Sequence, residues 1–94
     1  MDDKTKAFYE RLKTELDNAN QWPAEYLFKF IVPSDNEKIA MVESAFDRMG
    51  AVIRTNQSKT GKFTSISIDV TMPDADSIVS KYQEVSTIEG IISL

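Results

Sequence analysis

Residues 51–72 read AVIRTNQSKTGKFTSISIDVTM, and the second half of that stretch carries the clearest alternation in the chain. Ile66, Ile68, Val70 and Met72 fall on one side of an extended backbone, while Ser65, Ser67, Asp69 and Thr71 fall on the other. A period of two predicts a strand over 63–72 with one buried face and one wet face. Residues 51–57 are predicted as a second strand, with 58–62 as the turn that joins the two. The middle of the chain is therefore expected to be a β-hairpin whose apolar side must be packed by what flanks it.

Outward from the hairpin, the N-terminal neighbour reads as a helix over 35–49. Ser34-Asp35-Asn36-Glu37 has the S-x-x-E spacing of a capping box. Ile39, Val42, Phe46 and Met49 mark one face, and Gly50 stands where a left-handed C-terminal cap is wanted. Before it, residues 25–32 set Tyr26, Phe28, Phe30 and Val32 against Leu27, Lys29 and Ile31, apolar nearly throughout as a central strand is. On the other side, Pro73-Asp74 opens a helix in which Ile78, Val79, Tyr82 and Val85 face the sheet. Residues 88–94 supply a closing strand. That order predicts an α+β fold, the ferredoxin-like β-α-β-β-α-β sandwich: a four-stranded antiparallel sheet with both helices on one face.

An extra element precedes this unit. Over 4–18, Phe8, Leu12 and Leu16 recur at spacing four among charged residues, which predicts a surface helix with a narrow apolar stripe. Asn18-Ala19-Asn20-Gln21 and Trp22-Pro23 end it, since proline disfavours helical geometry in the residue before it. We expect residues 1–21 to be a helical extension and 22–94 the sandwich, with Trp22 plugging the hinge between them.

Composition narrows the chemistry. The 94 residues suit one ordinary domain, with 41% hydrophobic and 28% charged residues. Fifteen acidic against eleven basic residues give a formal charge of −4, which argues against wholesale attraction to nucleic acid or anionic lipid. With no cysteine and no histidine, the chain lacks a thiol nucleophile, a CxxC motif and the commonest general base and zinc ligand. The start, MDDKTK, has no apolar signal-peptide core, and the run from Tyr26 to Val32 is too short to span a bilayer. A cytoplasmic protein without membrane contact is the expectation.

Trp22-Pro23, Tyr26, Lys29 and above all Ser58-Lys59-Thr60-Gly61-Lys62-Phe63-Thr64-Ser65-Ile66-Ser67-Ile68 resemble the YbeD-like bacterial proteins, a family of unknown function. The resemblance covers roughly residues 22–94, and its best motif is the S-K-x-G-x-[FY]-x-S-x-S-I hairpin, here with an added residue at Thr60 and a longer N-terminal helix. It implies a ferredoxin-like sandwich similar to amino-acid-sensing ACT domains and brings no catalytic residues to carry over.

Two surfaces are candidates for function. With both helices on one side, the sheet's other face holds Leu27, Lys29, Ile31, Phe63, Ser65, Ser67, Asp69 and Thr71, joined by Val52, Arg54 and Ile91. That face is too apolar to be purely solvated, so a cover is expected: the Phe8, Leu12, Leu16 stripe folding back, or a second subunit or foreign protein. The second surface is the basic hairpin of Arg54, Lys59 and Lys62, where Ser58, Thr60 and Gly61 offer donors for a carboxylate or phosphate. Lysines that merely solubilise the turn and blunt an edge strand are the more ordinary explanation, and binding of an anion or acidic partner is the minority reading. It is not a Walker loop, because Asn56 stands where that motif needs glycine.

Other chemistries have less to stand on. An RNA-binding sheet stacks bases on aromatics, and this face offers Phe63 alone. The loop Pro33-Ser34-Asp35-Asn36 has no arginine for an acylphosphatase-like cradle. Asp35, Glu37, Asp74 and Asp76 sit at helix starts, where capping explains them. Tyr82, Trp22 and the methionines Met1, Met41, Met49 and Met72 read as packing. The expectation is a non-enzymatic regulatory or protein-interaction module with no cofactor and no metal, working through a protein partner or self-association. The alternative is an ACT-like sensor of a small anionic metabolite.

Overall fold

The computed structural model describes residues 3–94, so Met1 lies outside the described residues. A helix α1 (Asp3–Ala19) precedes strand β1 (Ala24–Pro33), helix α2 (Asn36–Ala45), strands β2 (Val52–Gln57) and β3 (Phe63–Met72), helix α3 (Ala75–Val85) and a short strand β4 (Ile92–Ser93). The strands form one antiparallel sheet in the order β2-β3-β1-β4, the order of the expected ferredoxin-like sandwich. β1 and β3 pair along their whole length, from Ala24 opposite Met72 to Pro33 opposite Phe63.

The alternation dictates the core. Phe28, Phe30 and Val32 from β1 and Ile66, Ile68 and Met72 from β3 are buried on one face, under Val42, Phe46, Ile78 and Val85 from the helix side. The Phe28 ring lies 4.8 Å from Phe46, 5.2 Å from Tyr82 and 4.8 Å from Tyr26, so aromatic contacts join sheet to helices at the centre. Met72 belongs to this core and Met49 packs against it. Met41, read above as packing, is instead exposed on α2.

Several local expectations are corrected. α2 is capped by Asp35, not Ser34: the Asp35 carboxylate accepts from the Glu37 amide at 2.9 Å, a stronger acceptor beside the helix's positive end than a hydroxyl. Ser34 turns its hydroxyl to Thr64 at 2.8 Å and so satisfies a buried polar group of β3. The helix stops at Ala45 rather than reaching 49, because Phe46 is drawn into the core and the Lys81 ammonium of α3 donates to the Ala45 carbonyl. Gly50 does take the left-handed conformation, φ +70°, but at the end of a turn over 46–50 and not as the helix cap.

β4 is the largest departure, since pairing covers Ile92 and Ser93 instead of 88–94. Residues 86–91 coil instead, with Ile88 donating to Val85 and Ile91 to Ile88. Gly90 is required there: its φ is +82°, and a Cβ on it would stand 2.9 Å from Pro33 Cγ.

Candidate functional site: the open sheet face

Register places the side chains of the uncovered face in rows across the strands. Glu25 and Thr71 stand at one end of the face; beyond them Val52, Asp69 and Leu27 form the first row, Arg54, Ser67 and Lys29 the second, and Asn56, Ser65, Ile31 and Ile92 the third, with Phe63 opposite Pro33 at the far end. Leu27, Val52, Phe63 and Ile92 remain 45–61% exposed. Large apolar side chains left that open, and grouped on one face, differ from the scattered exposed apolar groups of any protein surface. At the hairpin end, Ile31, Asn56, Ser58, Phe63 and Ser65 enclose a niche of about 180 Å³.

Charge on this face is largely settled internally. Arg54 donates to Asp69 at 2.7 Å across β2 and β3, an exposed pair that contributes little to stability. Ser65 donates to the Asn56 carbonyl at 3.2 Å. Lys29, beside Ser67, and Glu25, beside Thr71, form no ion pair among the described residues.

The N-terminal stripe does not cover this face, which corrects the first of the covers expected above. α1 packs on α3, on the helix side of the molecule. Leu16 is buried in the common core and Leu12 is packed against it, while Phe8 is 54% exposed. Lys13 binds Asp76 at 2.9 Å, and that hydrogen bond and charge hold the Lys13 ammonium above its ordinary pKa. Phe8, Tyr9 and Leu12 meet Tyr82, Ser86 and Leu94 around a hollow of about 230 Å³. Trp22, half-buried at the foot of α1, donates to Asp17 at 3.0 Å, and its bond to Pro23 is cis.

The basic hairpin residues are not gathered into one cradle. Arg54 sits mid-sheet on Asp69, whereas Ser58, Lys59, Gly61 and Lys62 form the turn. The Gly61 amide donates to the Ser58 carbonyl at 2.9 Å, that of Lys62 to the Thr60 hydroxyl at 3.4 Å and that of Phe63 to the Ser58 hydroxyl at 3.2 Å. The Gly61, Lys62 and Phe63 amides are thus already engaged with the turn itself.

Asp74 caps α3 through the Ser77 amide at 2.7 Å, and its hydrogen bonds from Ser77 hold the carboxyl below the ordinary range. No group of acidic residues that could hold a metal ion exists among the described residues. No helix among them is long and apolar enough to cross a membrane.

The family described as "Protein of unknown function (DUF493)" matches residues 17–94. This chain belongs to that family. The match starts inside α1 and takes in every strand, in agreement with the resemblance carried by the hairpin motif. No curated protein and no solved structure matches the chain.

Within this DUF493 member, the open-face positions Glu25, Asn56 and Ile92 escaped the sequence, and at one of them the wrong residue was expected. Ile92, not Ile91, completes the third row, while Ile91 turns to the core. A two-residue strand carries no alternation of its own, so only the pairing of Ile92 with Ile31 fixes which side it faces.

Proposed function

We propose that this protein is a non-enzymatic interaction module that takes a protein partner on the open face of its sheet. The observation that carries this reading is the cluster of Leu27, Val52, Ile31, Phe63 and Ile92, left uncovered by α1. Desolvation of such a cluster is what drives protein association, and a niche of about 180 Å³ beside Phe63 suits one anchoring side chain of the partner. Lys29 and Glu25 add specificity: a partner with an apolar patch, a carboxylate placed for Lys29 and none near Glu25 matches this face, because the Arg54 and Asp69 charges already neutralise each other. The lack of histidine and cysteine supports a role without catalysis. The small-anion alternative keeps its two turn lysines, but the turn's own oxygens occupy the Gly61, Lys62 and Phe63 amides.

Site-specific photo-crosslinking in cells tests the proposal. Leu27 and Met41 are both 51% exposed, one on the open face and the other on α2, so a crosslinker at each position samples the two sides equally. Discrete adducts are expected from positions 27 and 63 and not from 41. Equal labelling on both sides, or none from 27 and 63, rejects the open face as the docking surface.

A further inference from the structure

We infer that the outer edge of β2 is a self-association site, at which a second copy of this chain adds its own β2 antiparallel and joins two sheets into one. The inference follows from the ladder and concerns a different surface from the open face. Leu94 donates to the Lys29 carbonyl, so the odd-numbered residues of β1 direct their backbone groups toward β4 and the even-numbered ones toward β3. Tyr26 opposite Val70 and Phe28 opposite Ile68 then commit the even-numbered residues of β3 to β1, leaving its odd-numbered residues for β2. The Ser58 amide on the Phe63 carbonyl follows the same parity. Val52, Arg54 and Asn56 are therefore the β2 residues that bond to β3, opposite Asp69, Ser67 and Ser65. The N–H and C=O groups of Ile53, Thr55 and Gln57 point out of the sheet, at a strand that ends the order.

Natural sheets blunt such an edge with proline, lysine, a bulge or a covering element. β2 has no proline or lysine, and its pairing with β3 runs without interruption from Val52 to Gln57. Its single charge, Arg54, is tied to Asp69 on the open face. Lys59 and Lys62 stand in the turn beyond its end.

The sequence of the edge also selects the register. An added β2 must pair odd-numbered residues with odd-numbered ones, two hydrogen bonds to each pair. Centred on Thr55, the two copies set Thr55 against Thr55 and Ile53 against Gln57 on both sides, while Arg54 faces Asn56. Centred on Arg54, the two guanidinium groups stand directly opposite, the like-charge arrangement that destabilises a ladder, and Gln57 meets Ala51 outside the strand. The Thr55-centred pairing is two-fold symmetric and closes on itself. Two chains each of formal charge −4 repel, so the dimer is weak at low salt and tightens as salt screens them.

Sedimentation equilibrium from micromolar to roughly millimolar protein, at low and high salt, tests this. The mass is expected to rise from 10.6 kDa toward twice that value, more readily at high salt, as amide exchange slows at Ile53, Thr55 and Gln57. Thr55→Pro removes an outward N–H without touching a β3 ladder bond, so it should stay at 10.6 kDa. A mass constant over the whole range, or a dimer that persists in Thr55→Pro, overturns the inference. If that variant fails to fold, exchange in the unaltered chain decides: slowing confined to the β2 edge sustains the pairing, and slowing elsewhere or nowhere refutes it. Either failure leaves the photo-crosslinking result intact, because the crosslinkers report on the sheet face and not on its edge.

Discussion

Tyr82 shows how one polar atom fixes a condition on the fold. Its ring packs against Phe28 and Phe30, and its hydroxyl meets the Tyr26 hydroxyl at 2.8 Å. Burial, helped by that hydrogen bond, pushes the Tyr82 phenol well above its ordinary pKa of 10.0. The unfolded chain ionises Tyr82 near the ordinary value while the folded chain resists. The protonated form's contribution is therefore complete below about pH 10 and is lost as pH rises through the higher folded value. Urea midpoints measured from neutral pH upward should be level with respect to this group until about pH 10 and then fall. Tyr82→Phe should cost about 1 kcal/mol at neutral pH, because the Tyr26 hydroxyl loses its partner. The same variant should flatten the alkaline decline, and an unchanged decline would assign the effect to another group. Spacing alone marks Tyr82 as a core position; the Tyr26 contact, 56 residues away in sequence, needs the register of β1 against the rest.

Elements end where tertiary contacts end them, and Lys81 is the clearest case. Its ammonium donates to the Ala45 carbonyl at the last turn of α2, lies 5.5 Å from the centre of the Phe46 ring and approaches Glu84 at 3.5 Å. A cation at a helix C-terminus is favourable, and this side chain is only 21% exposed, so screening removes little of the effect. Lys81→Met keeps the aliphatic stem and deletes the charge. It should lower stability by about 1 kcal/mol and speed amide exchange at the end of α2, whereas equal exchange in both proteins would mean that Phe46 alone stops the helix. The same physics separates what the sequence disclosed from what it hid. The strict alternation of β3, the Asp74 cap and the apolar length of β1 are local signals, and each appears where it was expected. The helix end at Ala45 and the choice of Asp35 over Ser34 depend on Lys81 and Thr64, and the glycine at position 90 on Pro33, partners remote in sequence. The open face was legible through parity in β1 and β3, which left Glu25 and Asn56 unnamed at its margins and named Ile91 in place of Ile92, where the strand is too short to show a period.

At the scale of the whole molecule, the position of α1 decides whether the open face is free. The stripe of Phe8, Leu12 and Leu16 has two surfaces to choose from, and periodicity carries no preference between them. Lys13 bound to Asp76 and Leu16 buried in the core commit α1 to α3. Removing residues 1–20 should therefore destabilise the protein by at least about 2 kcal/mol, the scale of a lost buried leucine, and expose the helix layer rather than the sheet. In amide spectra of the truncated chain, Val79 and Tyr82 should shift while Leu27, Ser65 and Ser67 keep their positions. Leu16→Ala, compared in the same way, serves if the truncated chain does not fold. Shifts concentrated at Leu27, Ser65 and Ser67 would instead put α1 over the open face in solution. In that case, the interaction surface proposed above would require α1 to leave before a partner arrived. With α1 on α3, the partner proposed for this face would meet it at no conformational cost, with an affinity set by its apolar rows and by the Lys29 and Glu25 charges.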